Sequence, residues 1–199
     1  MKRLLDIRLI IFLAVVPTLN TGCAYYVGKD HPTVSYSELR PAAKTPLLLN
    51  FKYLVNGVYD KDLTKSYKVN FMLILKDSGL FSSVTFMEGR DSTSAPRMDL
   101  VLNETSDESS NVMKGFITGL TFFILGSNVT FNYQFEGRYT RPGEKAVSFH
   151  YNHALYMTKG LIVSKPDGIQ RYGYDAAVDH IAMDLTVHFL RDLQQAGRL

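Results

Sequence analysis

The chain contains no tryptophan and a single cysteine, Cys23. One cysteine excludes a disulfide within the chain and any metal site built on a cysteine pair. Long apolar runs are missing too. Neither the run at 9–16 nor the uncharged stretch at 115–126 reaches the roughly 20 residues that a spanning helix needs. Surplus charge is small. The net charge is +3, and removing residues 1–22 takes away three basic side chains and one acidic one, which leaves +1. No strong field remains to draw nucleic acid or lipid headgroups. HExxH, GxSxG, a P-loop and GxGxxG are all absent, so the residues point to a protein that is not an enzyme and holds no cofactor.

What is present begins with the leader. Lys2, Arg3 and Arg8 supply a positive end, 9–16 is unbroken apolar sequence, and 17–22 is small and turn-prone. That is the order of a cleaved secretory signal. It ends at Leu19-Asn20-Thr21-Gly22-Cys23, which resembles the lipobox of bacterial lipoproteins through Thr21, Gly22 and the cysteine; Asn20 stands where that family usually has an aliphatic residue. The resemblance implies cleavage between Gly22 and Cys23 and acylation of the Cys23 sulfur. Each buried acyl CH₂ stabilises membrane attachment by about 0.8 kcal/mol, and two chains hold firmly where one does not. Ala24, rather than aspartate, follows the cysteine. By the same resemblance this implies the periplasmic face of the outer membrane.

Removing residues 1–22 from 199 leaves 177, enough for one domain. We expect a lipidated tether at 23–46, where Gly28, Pro32 and Pro41 interrupt any period, and an α+β domain at 47–199. Leu47 to Val55 reads as a buried strand broken by Asn56-Gly57. Asp62 is placed to cap a helix whose Leu63, Tyr67, Phe71, Ile74 and Leu75 share a face, with Gly79 ending it. Strands follow at 83–87 and 98–102, then an acidic, serine-rich loop at 103–111.

From Val129 to Tyr139 apolar and polar residues alternate, and beyond Arg141-Pro142-Gly143-Glu144 the odd positions Val147, Phe149, Tyr151 and Leu155 are again apolar. Paired residues share a face, so odd must pair with odd. This predicts a hairpin with a connection of three or five residues and a bulge at Gly143. A loop with Pro166-Asp167-Gly168 as its turn, and a short strand near 161–163, precede a closing amphipathic helix at 175–196 stopped by Gly197. The expected architecture is a single mixed or antiparallel sheet of about four to six strands with two helices packed on one face.

Two features bear on function. Phe116, Ile117, Leu120, Phe122, Phe123, Ile124 and Leu125 lie in a stretch without charge. It reads either as core or as an apolar flap for a partner, an acyl chain or a membrane. His180, Asp184 and His188 form a row four residues apart on the last helix, expected as a solvated edge rather than a metal site. His150 and His153, an odd distance apart on a strand, face opposite ways.

The element order, with the helix-to-strand phrase 76–84, looks like small periplasmic lipoproteins similar to the N-terminal domain of the Tol-system translocation protein. Similar shapes occur in the lipopolysaccharide-assembly lipoprotein and in lipoproteins that activate peptidoglycan synthases. The resemblance implies a non-catalytic binding or adaptor component of an envelope assembly with a protein partner. The alternative is a lipid- or lipopolysaccharide-handling lipoprotein using 115–126.

Overall fold

The computed structural model describes residues 24–29, 33–41, 43–87, 94–106, 127–159 and 170–199. The expectations for the leader with Gly22 and Cys23, for Phe116, Ile117, Leu120, Phe122, Phe123, Ile124 and Leu125, and for the turn at 166–168 lie outside these residues. In chain order the elements are β1 (Ala24–Val27), a 3₁₀ turn (Tyr36–Glu38), β2 (Thr45–Val55), β3 (Val58–Asp60) and α1 (Lys61–Asp77). There follow β4 (Phe81–Phe86), β5 (Arg97–Ser106), β6 (Ser127–Thr140), β7 (Val147–Lys159), β8 (Arg171–Tyr172) and α2 (Tyr174–Gln195).

All eight strands join one mixed sheet, so the count exceeds the expected four to six. β4 and β5 run parallel to β2 on its two edges, and the short β3 doubles back antiparallel on the β4 edge. From β5 the order continues β6, β7, β1, β8, each antiparallel to its neighbour. The β2–α1–β4 passage is the crossover read from the sequence.

Alternation along the strands sets the covered face. Phe51, Leu100, Gly137 and Phe149 form one row across β2, β5, β6 and β7, and Tyr53, Leu102, Phe135 and Tyr151 form the next. The Phe135 ring meets Phe71 of α1 at 6.2 Å and Phe189 of α2 at 6.1 Å, which puts both helices on the same side. α1 buries Tyr67, Phe71 and Leu75 there, and α2 buries Val178, Ile181, Leu185, Phe189 and Leu193. Burying each such aliphatic or aromatic side chain stabilises by about 1.5 to 3 kcal/mol.

The elements end where local chemistry ends them. Asn56 and Gly57 have φ of 50° and 79° and close a two-residue turn between the paired Val55 and Val58. Positive φ at both central residues is what such a hairpin needs, so Asn-Gly builds β3 rather than merely breaking β2. The helix α1 is capped by Asp60, not Asp62: its carboxylate accepts from the N–H groups of Asp62 and Leu63 at 3.0 and 2.9 Å. Asp60→Ala should cost about 1 kcal/mol, a fall of roughly 2–4 °C in melting temperature for a domain of this size; calorimetry checks it. At the other end of the chain, Gly197 lies at φ 68° and the Arg198 N–H donates to the Leu193 carbonyl at 2.8 Å, which stops α2 as expected.

Three further sequence expectations about the strands and the tether need correction. The supposed loop after 102 is strand through Ser106, because Asn103 to Ser106 pair with Gln134 to Phe131. The β6–β7 hairpin does pair odd with odd, but its last pair is Tyr139 with Val147, a longer connection in which Gly143 occupies the turn at φ 77°. The start of the tether is β1, hydrogen-bonded between β7 and β8, while Val34 and Leu39 are buried in the core. The 33–41 strap is fastened to both helices: the Tyr36 hydroxyl donates to the Ile74 carbonyl at 3.2 Å, and Arg40 and Gln194 exchange hydrogen bonds of 2.9 and 2.6 Å.

Candidate functional site

Register shows what each end of the sheet carries. Ala24 of β1 and Asn128 of β6 both sit opposite Thr158 of β7. They are therefore two strand spacings apart, about 10 Å. Cys23 precedes the first and Gly126 stands two residues before the second. The exits of β5 and β7, the β2–β3 turn and the start of α2 share this end, here called the upper one. The β6–β7 turn and the C-terminal segment lie at the lower end, where Arg198 pairs with Glu144.

An acid and four tyrosines gather on the covered face at the upper end. Glu104 continues the inward alternation of Met98, Leu100 and Leu102, which places a carboxylate where an apolar residue would be expected. The Tyr53 hydroxyl donates to it. Tyr133 is its cross-strand neighbour, Tyr67 stacks on Tyr53 at 5.3 Å, and Tyr174 opens α2. Tyr53 and Tyr133 are fully buried, and that burial pushes both hydroxyls far above the ordinary tyrosine range; the bond to Glu104 adds to the first, and the nearby Tyr53 and Glu104 to the second. Burial does the same to Tyr67, helped by Tyr174. At neutral pH these groups are donors that hold their protons, not bases or nucleophiles. Sequence reading missed the cluster, although period-two counting through β5 was a signal for an inward Glu104.

The row on α2 is not a solvated edge. Asp184 and His188 are buried, at 4% and 3% exposure, and His180 is only partly open. The Asp184 carboxylate has His180 Nδ1 at 3.2 Å and His153 Nε2 of β7 at 3.8 Å. His188 Nδ1 instead meets Arg191 Nη2 at 2.9 Å. The reason is that α2 is buried on more than one side over 184–190, so four-residue spacing here runs through the interior. Among the described residues no group of three His, Cys, Asp or Glu side chains is arranged to hold a metal. His150 is exposed and His153 buried, on opposite faces as alternation requires. Among the described residues no helix is long and apolar enough to cross a membrane.

The chain is thus an α+β protein whose described residues form one eight-stranded mixed sheet with two helices on a single face. No protein-family model matches it, and no curated protein matches it significantly. Solved structures are distantly similar. Rare lipoprotein B from Shewanella oneidensis is 12% identical, covering 75% of this chain and 95% of its own, with a TM-score of 0.35. A neuraminyllactose-binding hemagglutinin homolog from Helicobacter pylori is 16% identical, covering 83% and 87%, with a TM-score of 0.36. A PelC dodecamer from Paraburkholderia phytofirmans is 12% identical, covering 85% and 98%, with a TM-score of 0.32. Likeness at this level carries no argument about what this chain binds or does.

Proposed function

We propose that this chain is a lipoprotein of the bacterial envelope, processed after Gly22 and held by acyl groups on Cys23 at the periplasmic face of the outer membrane. It binds a protein partner there without catalysis, as a component of an envelope assembly. The observation that carries the reading is the shared partner Thr158: it supports an anchor point and an apolar stretch that leave the sheet about 10 Å apart, from one end. Phe116, Ile117, Leu120, Phe122, Phe123, Ile124 and Leu125 then face the bilayer or a partner beside it. Seven large apolar side chains within one uncharged stretch call for such a cover. The same placement favours a second reading, in which the stretch handles the acyl chain of a lipid or lipopolysaccharide.

Cys23→Ala is expected to move the protein from the membrane fraction to the soluble periplasmic fraction and to abolish the acylated N-terminal peptide in mass spectra. Retention on the membrane with normal processing would remove the anchor from the account. A photo-crosslinker at Leu120 in intact cells separates the two readings: an attached protein supports the adaptor, and attached lipid alone supports lipid handling.

A further inference from the structure

We propose that the outer edge of β4, flanked by the lysines of α1, is a docking site for an extended acidic segment of a partner protein, which adds to the sheet as a further strand. The site gives the partner-binding reading a second surface and depends neither on the anchor nor on 115–126. Among the described elements β4 pairs with β2 alone, so the backbone groups on its other side are unmatched. Parity tells which groups these are. The Met87 N–H donates to the Leu49 carbonyl at 3.0 Å, and the N–H and C=O groups of successive residues point to opposite sides of a strand. Those of Val84 and Phe86 therefore face away from β2. Their side chains lie on the covered face, in register with Leu47 and Leu49, while Ser83 and Thr85 are exposed on the other. Sheets usually blunt an edge with a charge or a proline. The six residues of β4 contain neither; its bulge, at Ser82, disturbs only the lower end and leaves 83–86 regular.

Charge selects the occupant. α1 carries four lysines, Lys61, Lys65, Lys68 and Lys76, against two aspartates, Asp62 and Asp77. Lys68 shows where the lysines stand: its ammonium lies 5.0 Å from the centre of the Phe86 ring, at the upper end of β4. Helical spacing sets Lys61 and Lys65 above it and Lys76 below it along the same flank. The opposite flank belongs to α2 and the strap, through Asn70 to Asp179 and the Ile74 carbonyl to Tyr36, and Asp77 lies on that side near Tyr36. Lys61, Lys65 and Lys76 are exposed, and no described carboxylate pairs with them. From Lys68 to Lys76 the helix rises about 12 Å, the length of about four residues of strand. Carboxylates at alternate positions of an added strand all turn to the covered side, where this flank meets them. Main-chain bonds to Val84 and Phe86 then give such a segment its hold, and the lysines give it its sign. A second copy paired edge to edge would instead set one lysine flank against the other, a like-charge contact.

The test titrates the full-length chain in detergent with three blocked heptapeptides that alternate glutamate with valine, threonine or tyrosine. Fluorescence anisotropy reads the affinity, and ¹⁵N spectra read the backbone amides of Val84 and Phe86. At least one peptide is expected to bind saturably, to shift those two amides and to slow their hydrogen exchange. Lysine in place of glutamate should weaken binding at least about tenfold. The combined Lys65→Gln and Lys76→Gln variant should do the same while melting at the parent's temperature, since both side chains are exposed. Three results would overturn the proposal: no shift at Val84 or Phe86 with any peptide at about 5 mM, unchanged affinity in the variant, or protection of both amides in the peptide-free protein that grows with its concentration, the mark of a second copy. None of these bears on the crosslink at Leu120, which tests 115–126 separately.

Discussion

Gly137→Ala is expected to destabilise the protein by about 1–3 kcal/mol, the ordinary cost of overpacking, and Gly137→Val should leave little folded chain. At an average strand position either change would help, because glycine weakens a strand and valine suits one. Here the sign reverses. A Cβ built on Gly137 would lie 2.8 Å from Phe189 Cδ2 and Cε2 and 2.9 Å from Cε1, closer than atoms can pack. The ring cannot retreat, since it is fully buried and meets Phe135 and Phe149 edge-on, each at 6.1 Å. The bare backbone of β6 is therefore the floor on which α2 rests. A double-mutant cycle isolates the contact: in a Phe189→Ala background, itself costing about 3–5 kcal/mol, alanine at 137 should be neutral or stabilising. An equal penalty in both backgrounds would show that the ring is not the cause.

Raising the pH above 10 should unfold the protein steeply, with the buried tyrosines ionising only as it opens. Tyr53, Tyr67 and Tyr133 are buried, and burial is the first cause of the upward shift of each hydroxyl. In the unfolded chain the same groups release their protons near pH 10. Their contribution is complete below that pH and falls as pH climbs above it, because the unfolded state then binds fewer protons than the folded one. Each such tyrosine costs about 1.4 kcal/mol per pH unit, so three cost about 4. A typical margin of 5–15 kcal/mol is then consumed within a few pH units. With no tryptophan in the chain, absorbance near 295 nm reads tyrosinate directly. The expected record is an early phase from exposed rings, then a cooperative phase coincident with loss of secondary structure. A single smooth titration near pH 10 with the fold intact would contradict the burial of this cluster.

The β6–β7 hairpin was readable because both strands alternate over many residues and parity alone fixed which positions face each other. β1 and β8 were not, because four and two residues carry no period and their pairing depends on a partner far along the chain. The cap of α1 was expected at Asp62 and falls at Asp60, a residue of the same capping propensity two places earlier. A tertiary contact decides it: Thr64 Oγ1 donates to the Asp60 carbonyl at 2.6 Å and accepts from the Tyr53 N–H at 2.9 Å, which fixes the first turn against β2. Four-residue spacing placed His180, Asp184 and His188 on one side of α2 but could not tell that this side is interior. Lys61, Lys65, Lys68 and Lys76 were present as spacing along α1. Only the fold, however, sets that flank beside the outer edge of β4.

If the proposed anchoring through Cys23 holds, the upper end of the sheet meets the membrane and the lower end points away from it. Acylation would leave Cys23 without a thiol, so an introduced cysteine would be the only site for a thiol-reactive fluorophore. With a label at Leu120→Cys or at Lys145→Cys in proteoliposomes, nitroxides on the lipid acyl chains should quench the first and spare the second, which lies beyond β6, a strand of 14 residues or about 45 Å. Equal quenching at both positions, or quenching at 145 alone, would contradict the account.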